Sequence, residues 1–399
     1  MVEIFAKAAE PVVSELKSLA NNKGCIPFGT DNCFPQAIAL LNRKSAINRA
    51  VIKNKSYYVI GDGLTSDNEA TYNKFTAWNI NATVKYSAYD FISFGNAYIE
   101  VIQLAGQIKF NHIDATKCRL TTDGNGVIVN PDWSARKVKD SKDVVLPLYP
   151  TFEKIGGAMR SIVHIKEYEP TFNYYGVPSW VGAMDSAAIA YKTNKWNLSR
   201  LDNSFQSSGV LLVDGNISPA DAAELKEKFK KEFTGEGNQG KVMFIAQNLG
   251  GTANTTWSPI TAGNEGDWTQ LHKQSTDEII TAHNWYPSLS GIATAGALGN
   301  TQQIRNEYQV AINTVISDIQ GALLQPLKRV IEVNAKTESE SISFINKPPV
   351  SIADKIDMNA VTKIWEGRKL AGLDYDPEDV TQQGYIKPQS TQTQTAANG

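Results

Sequence analysis

Apolar residues recur every three to four positions in three long stretches of the chain, and each stretch predicts a helix. In Ser179–Gln206 the apolar positions are Met184, Ala187, Ala188, Tyr191, Leu198, Leu201 and Phe205, with Ser179 placed as the N-cap. At ~1.5 Å per residue this helix would be roughly 40 Å long. In Asp267–His283 the shared face is Trp268, Leu271, Ile279 and Ala282, with Asp267 and Gln270 at the capping end. The third stripe runs Ile304, Tyr308, Ala311, Ile312, Val315, Ile319, Leu323, Leu327 and Val330. Pro326 lies inside it and predicts a kink, because proline removes one backbone donor and crowds the preceding turn. Between the first two stretches sits a compact glycine-rich insert, Gly209–Ile260, with strands at Val210–Val213 and Lys241–Ala246. A helix from Ser218-Pro219 to about Phe233 separates the two. Between the second and third stretches, Asn284–Asn300 is too polar and glycine-rich for core. It is also longer than the roughly 2–8 residues of most helix–helix connections, which points to a functional loop.

The first half of the chain mixes the two periods. Residues 1–20 predict a short helix, Asn21–Pro35 an arm or loop, Gln36–Lys53 a helix and Ser56–Ile60 a strand ending at Gly61-Asp62-Gly63. Glu69–Ala82, with Tyr72, Phe75 and Trp78 three apart, and Ala82–Phe94, stopped by Gly95, predict helices. Asn96–Leu104 and Gln107–His112 flank Ala105-Gly106, and Cys118–Thr122 and Val127–Asn130 flank Asp123-Gly124-Asn125-Gly126. Both are hairpin signals. Strands at Asp143–Leu148 and Ser161–Tyr168 complete an α+β lobe. Ser341–Ile345 predicts a last strand and Asp357–Glu366 a short helix. Gln389–Gly399 is low-complexity.

Composition narrows the classes. A chain of 399 residues, 42% hydrophobic, fits two to three domains, each with a core. The net charge of −2 argues against a generally adhesive nucleic-acid binder, but not against a protein that lets DNA slide past. Three scattered cysteines without a CxxC fit reduced thiols rather than a zinc or disulfide framework. Neither a signal-peptide core nor an 18-residue apolar run is visible, so a soluble protein made in a cytoplasm, with no membrane partner, is expected.

Catalytic signatures are missing. Asp62-Gly63 followed by Asp67, Asn68 and Glu69 does not fit an EF-hand and reads as a turn. Gly124-Asn125-Gly126 lacks the Lys-Ser/Thr and the following helix of a phosphate loop. Of four scattered histidines only His112, near Asp114, suggests a dyad, and no nucleophile motif accompanies it. The expectation is a non-enzyme without cofactor or metal.

The ordered series of segments resembles the tailed-bacteriophage portal proteins of the short-chain kind. It is carried by Tyr89–Val101 (YDFISFGNAYIEV), Val163–Lys166, Gly176-Val177-Pro178-Ser179 opening a long helix, and Phe205–Leu211 (FQSSGVL) ending it. It continues through Leu225–Phe233, Gly237–Lys241 before strand Val242–Ile245, Leu298-Gly299-Asn300, Asn306-Glu307, and Leu324–Leu327 through Ile331-Glu332. The resemblance spans Gln36 to Asn334. It departs where the family usually has a Phe-Gly-Val-Pro-Pro type segment, here Asn284-Trp285-Tyr286-Pro287-Ser288.

The resemblance implies an N-terminal arm (1–35), an α+β wing (36–178), a stem helix (179–208), a small α/β clip (209–260) and a second stem helix (261–283). A tunnel loop (284–300), a long kinked helix (301–335), C-terminal wing or crown elements (336–385) and a disordered tail (386–399) would follow. It further implies a homo-oligomeric ring, typically of twelve subunits, at one capsid vertex. Double-stranded DNA would pass through without sequence recognition. Partners would be the large terminase, the major capsid and scaffolding proteins and the head–tail connector. Lys192, Lys195 and Arg200 read on their own as a solvated helix face, but in a ring each becomes a circle of positive charge. With Asn284, Ser290, Thr294 and Asn300 of the loop they are the candidate channel lining. Lys226, Lys230, Lys231, Glu236, Asn238 and Lys241 are the candidate clip contacts for the terminase or connector. The alternatives are another virion subunit, such as a connector or capsid component, and a hydrolase whose site the sequence hides.

Overall fold

The structure is a computed structural model, and it describes residues 24–29, 31–134, 141–202, 209–214, 224, 227, 243–247, 254–259, 265–292, 301–349, 362–370 and 372–384. The expected helix in residues 1–20, most of the insert's helix, its glycine turn and the low-complexity tail lie outside these residues. The chain divides into two compact units, Met1–Lys347 and Pro348–Gly399.

The larger unit opens with helices α1 (Phe34–Lys44) and α2 (Ala46–Ile60), joined at Ser45, whose hydroxyl caps α2 by accepting from Asn48 N at 3.4 Å. Here the strand expected at Ser56–Ile60 is corrected: these residues are the last turns of α2. Their β-prone side chains yield to the face they complete, since Asn48, Val51, Ile52, Lys55, Ser56 and Val59 are all buried at helical spacing. The helix expected over Glu69–Ala82 is broken into single turns at Glu69–Tyr72 and Phe75–Trp78. Asn79, in the left-handed region at φ 57°, then redirects the chain into α3 (Ile80–Phe94). Phe75 and Trp78 are buried as expected, whereas Tyr72 is half exposed.

Gly95 ends α3 at φ 67°. Strands β1 (Asn96–Leu104) and β2 (Gln107–Ile113) form the first hairpin as the sequence predicts. β3 (Cys118–Leu120), β4 (Gly126–Val129) and β5 (Val144–Pro147) form a three-stranded antiparallel sheet in that order. β6 (Glu153–Ile155) and β7 (Ala158–Lys166) return to the first sheet, giving the antiparallel order β2-β1-β7-β6, with Asn96 opposite Lys166. β1 is buried on both faces, which is why it lacks a polar alternation. Helix α3 packs on β1 and β2.

Ser179–Ala183 is a 3-10 turn, so the N-cap position falls on Pro178 rather than Ser179. Helix α4 (Met184–Asp202) leads to β8 (Gly209–Asp214), and α5 (Glu265–Ala282) returns. β8 is the central strand of the insert sheet, parallel to β9 (Met243–Gln247) and antiparallel to β10 (Asn254–Pro259). The Ser186 hydroxyl, near the start of α4, donates to Glu278 near the end of α5, so the two helices run antiparallel. After the loop, α6 (Thr301–Ala311), a π-helical segment at Ile312–Ile316 and α7 (Ser317–Ala335) form one long helical run. Pro326 lies inside α7, where it leaves out one i→i−4 bond, and the π segment upstream is a second departure from that bonding. The expected strand near Ser341–Ile345 is Ser343–Phe344, paired with Leu64–Thr65. In the smaller unit, α8 (Ile364–Leu370) stacks Trp365 on Tyr375.

Candidate functional site

Three segments of the larger unit meet beneath the loop: the end of β7 running into α4, the end of α5, and helix α2. α5 stops in a Schellman arrangement. Asn284, at φ 48°, donates its N–H to Thr281 O at 2.9 Å, and Trp285 N–H reaches Ile280 O at 3.2 Å. The left-handed position that favours glycine is therefore filled by asparagine, the non-glycine residue best suited to it. His283, just before it, is fully buried. Its Nε2 faces Asn48 Oδ1 at 2.8 Å, and its ring stacks on Trp180, 5.5 Å between centroids.

Lys55 of α2 is 3% exposed and donates its Nζ to His283 O at 3.0 Å, the free carbonyl at the end of α5. A cation at a helix C-terminus is favourably placed against the helix dipole. Burial nevertheless pulls the Lys55 pKa down to about 8, against the raising influence of the Glu167 carboxylate. Burial likewise pushes Glu167 up, opposed by Lys55 and by the N–H of Ser179, which donates to its Oε2 at 3.2 Å. One carboxylate thus holds the first residue of the α4 approach while sharing a field with the lysine that holds the end of α5. Burial and the Lys55 charge both keep His283 well below the ordinary histidine range, so it is neutral.

A second staple fixes the β7 side. Asn96 Nδ2 donates to Phe94 O (2.8 Å) and Gly176 O (2.7 Å), while its Oδ1 accepts from Gly176 N (2.8 Å) and His164 Nε2 (2.9 Å). A β-carbon on Gly176 would fall 2.1 Å from Gly95 O, so only glycine admits this approach. The His164 ring, half-buried, stacks on Tyr98 with ring centroids 4.4 Å apart, and desolvation pulls its pKa to about 3.

The start of the loop packs on this base. Trp285 and Leu289 are buried, Trp285 lies against Tyr58, and Tyr58 against Tyr308 of α6. Asn54 Nδ2 donates to Ser290 O at 3.1 Å, and the Ser288 hydroxyl donates to Glu307 of α6. The turn Ser288–Ser290 is therefore tied both to α2 behind it and to α6 beyond it.

Of the candidate lining residues, Lys192 is exposed and Lys195 half-buried on α4, three positions apart and so on one side. Arg200 has a helical backbone, and its side chain is outside the described residues. Asn284 is exposed. Ser290 is 5% exposed, with its hydroxyl donating to Tyr286 O at 3.3 Å, the place of a packed residue rather than of an open wall. Thr294, Asn300 and all six clip candidates lie outside the described residues. His112 and Asp114, weighed above only as the nearest approach to a dyad, do not pair with each other. His112 Nε2 meets Asp90 Oδ2 of α3 at 2.7 Å, while Asp114 caps the turn Ala115–Lys117. Among the described residues no group of three or more His, Cys, Asp or Glu could hold a metal, and no helix is long and apolar enough to cross a membrane. Sequence reasoning passed over Lys55, Asn96 and Glu167. Lys55 had a readable signal, for it falls in phase with Val51, Ile52 and Val59 on the buried face of α2.

Comparison with known proteins agrees with this architecture. The model of the family described as phage portal protein matches residues 81–341, and the chain belongs to that family. An uncharacterized protein of Rickettsia bellii (strain RML369-C) is 28% identical over 53% of this chain and 55% of its own length. The probable portal protein of Haemophilus phage HP1 is 23% identical over 37% of this chain and 44% of its own. The chain spans about half the length of these curated relatives, or less. Among solved structures, the neck of an empty gene transfer agent (GTA) particle computed with C6 symmetry matches with a TM-score of 0.50 at 16% identity. It covers 91% of this chain and 99% of the other. The neck of a native GTA particle computed with C12 symmetry matches with a TM-score of 0.50 at 15% identity, covering 92% and 100%. The fold is thus the portal fold, α+β, with a helix pair bracketing a small sheet and feeding a long helix.

Proposed function

We propose that this chain forms a ring at one capsid vertex, through which double-stranded DNA passes during packaging and ejection, and which nucleates capsid assembly. Its role is structural. The observation that carries the reading is the antiparallel pair α4 and α5, closed at one end by the three-stranded insert and at the other by the buried base of the loop. In this reading α4 and α5 are the stem, 209–260 is the clip that docks the terminase and later the connector, and 284–300 is the tunnel loop. Lys192 and Lys195 lie on a stem face that repeats around the ring, and a near-neutral chain lets DNA slide rather than grip it. The subunit contact is heterologous and closes by rotation.

Purified protein should sediment as a ring, about 520 kDa for twelve chains of 43.7 kDa, with a central hole in negative-stain images. A monomer or compact dimer would overturn the reading. Deleting Gly291–Gly299 should leave ring assembly intact and impair packaging or retention of DNA. Loss of assembly instead would make the loop a structural element.

A further inference from the structure

A groove of about 830 Å³ runs between α2 and α3. Arg49 and Lys53 line it from α2 and Lys85 from α3, all exposed. Tyr57 and Tyr86, 52% and 56% exposed, supply aromatic walls, and Tyr89 lies deeper. The one acid among the lining residues, Asp62, is already engaged by Lys347 at 2.6 Å. The groove therefore carries three positive charges and two open phenol faces. From Arg49 to Ile60 it extends roughly 17 Å at ~1.5 Å per residue, the span of about five extended residues.

The same chain carries a segment of complementary chemistry. Leu373–Val380 (LDYDPEDV) holds four acids, Asp374, Asp376, Glu378 and Asp379, and no Lys or Arg. Leu373 and Val380 at its ends are 55% and 85% exposed, while Tyr375 between them stacks on Trp365. We infer that the Arg49–Lys53–Lys85 groove receives the acidic Leu373–Val380 segment of a second copy of this chain. Acids meet the three cations, and Leu373 or Val380 rests on the tyrosine faces. A DNA duplex is the poorer occupant, because its evenly spaced phosphates call for an extended cationic track rather than a short walled groove. The inference rests on the ring proposed above and names one of its subunit contacts.

The test uses full-length chains on a Cys33→Ser background, in which Cys25 and Cys118 remain buried. Tyr86→Cys and Leu373→Cys chains are made separately, mixed before assembly and treated with a short bismaleimide, so that any product joins two copies. A covalent dimer should form within the ring. Lys53→Glu/Lys85→Glu on the Tyr86→Cys chain should cut its yield about tenfold, and Asp374→Lys/Glu378→Lys on the partner chain should restore most of it. Rings that assemble without the cross-link overturn the inference and leave the ring standing. So does a charge reversal that abolishes retention of a duplex probe while leaving the cross-link yield unchanged. If the unsubstituted chain forms no ring, the functional reading fails first and the inference falls with it.

Discussion

Arg119 and Lys55 are both cations sealed inside the larger unit, 0% and 3% exposed, but they are held in opposite ways. The guanidinium of Arg119 has five N–H donors, and all are used. Nε reaches Asn32 Oδ1 (2.7 Å), Nη2 reaches Asn32 O (2.6 Å) and Gln36 Oε1 (3.0 Å), and Nη1 reaches Cys118 O (2.7 Å) and Thr116 O (3.4 Å). Its charge centre also lies 5.0 Å from the Trp133 ring centroid. Lys55 has three donors and one described acceptor, His283 O. Arg119 is a saturated clasp that binds the Cys25–Phe34 stretch to the β3–β5 sheet, and its charge is permanent. Lys55 is an under-satisfied prop at the joint between helix pair and loop, with a pKa near enough to neutrality to be moved. Full satisfaction suits a fixed seam; a single bond and a labile charge suit a joint.

The largest effect is expected at the clasp. Arg119→Ala removes five hydrogen bonds at once and opens a cavity, and should cost about 3–5 kcal/mol, the range for breaking a buried charged network. It should also free the Cys25 thiol to react with a maleimide. A denaturant midpoint within error of the parent, with Cys25 still protected, would mean the seam does not depend on this residue.

The joint and its staple should respond instead to acid. His283 and His164 are both neutral in the fold, with pKa values held well below and at about 3 against an ordinary value near 6.5. Below pH 6.5 the unfolded chain binds protons that the folded chain refuses, so stability falls as pH falls. His164, at about 3, contributes about 1.4 kcal/mol per pH unit below 6.5, and His283 acts in the same direction, so stability should be lower at pH 5.5 than at pH 7. Asp90 and Glu167, raised by burial, act in the opposite sense as the pH approaches their range. Unchanged midpoints between pH 7 and 5.5 would contradict this assignment.

Alkali separates the two cations. Between about pH 8 and 10.5 the unfolded state holds the Lys55 proton more tightly than the folded state, so this residue adds stability as pH rises. Buried Tyr175 and Cys118, raised by burial, work against that trend, so the parent must be compared with Lys55→Met. The stability difference between them should shift in favour of the parent by about 2 kcal/mol from pH 8 to pH 10. A constant difference would mean that Lys55 is not titrating in the fold.

How much of this could be read beforehand follows from the range of the interactions. Both hairpins, the helix stop at Gly95 and the helix–insert–helix order depend on neighbours in sequence, and they were legible in Ala105-Gly106, Asp123–Gly126 and the apolar spacing. Ser56–Ile60 was misread because its helical state is set by a face that begins at Asn48 and packs on distant elements. The segments that carried the portal resemblance, Gly95-Asn96 and Gly176–Ser179, turn out to be the two halves of the Asn96 staple. Their pairing spans 80 residues, so the sequence displayed the parts without the bond. The burial of Lys55 was readable from its phase with Val51 and Val59, but nothing local announces the helix end it props.

The smallest effect distinguishes the two regions at a single backbone conformation. Asn32 in the clasp and Asn284 at the joint both occupy the left-handed region, at φ 65° and 48°. If conformation alone chose asparagine, glycine would serve equally at both. At Asn284 it should: the bonds that end α5 use backbone N–H groups, so Asn284→Gly should stay within a few tenths of a kcal/mol of the parent, while Asn284→Ala should cost about 1 kcal/mol for the strained backbone. At Asn32 it should not, because the side-chain oxygen accepts from Arg119 Nε and from Phe28 N at 2.9 Å. Asn32→Gly should cost about 2 kcal/mol for those two buried donors. Thermal midpoints of the three variants decide it. Equal midpoints for the two glycine variants would reduce the clasp to a turn that happens to lie beside an arginine.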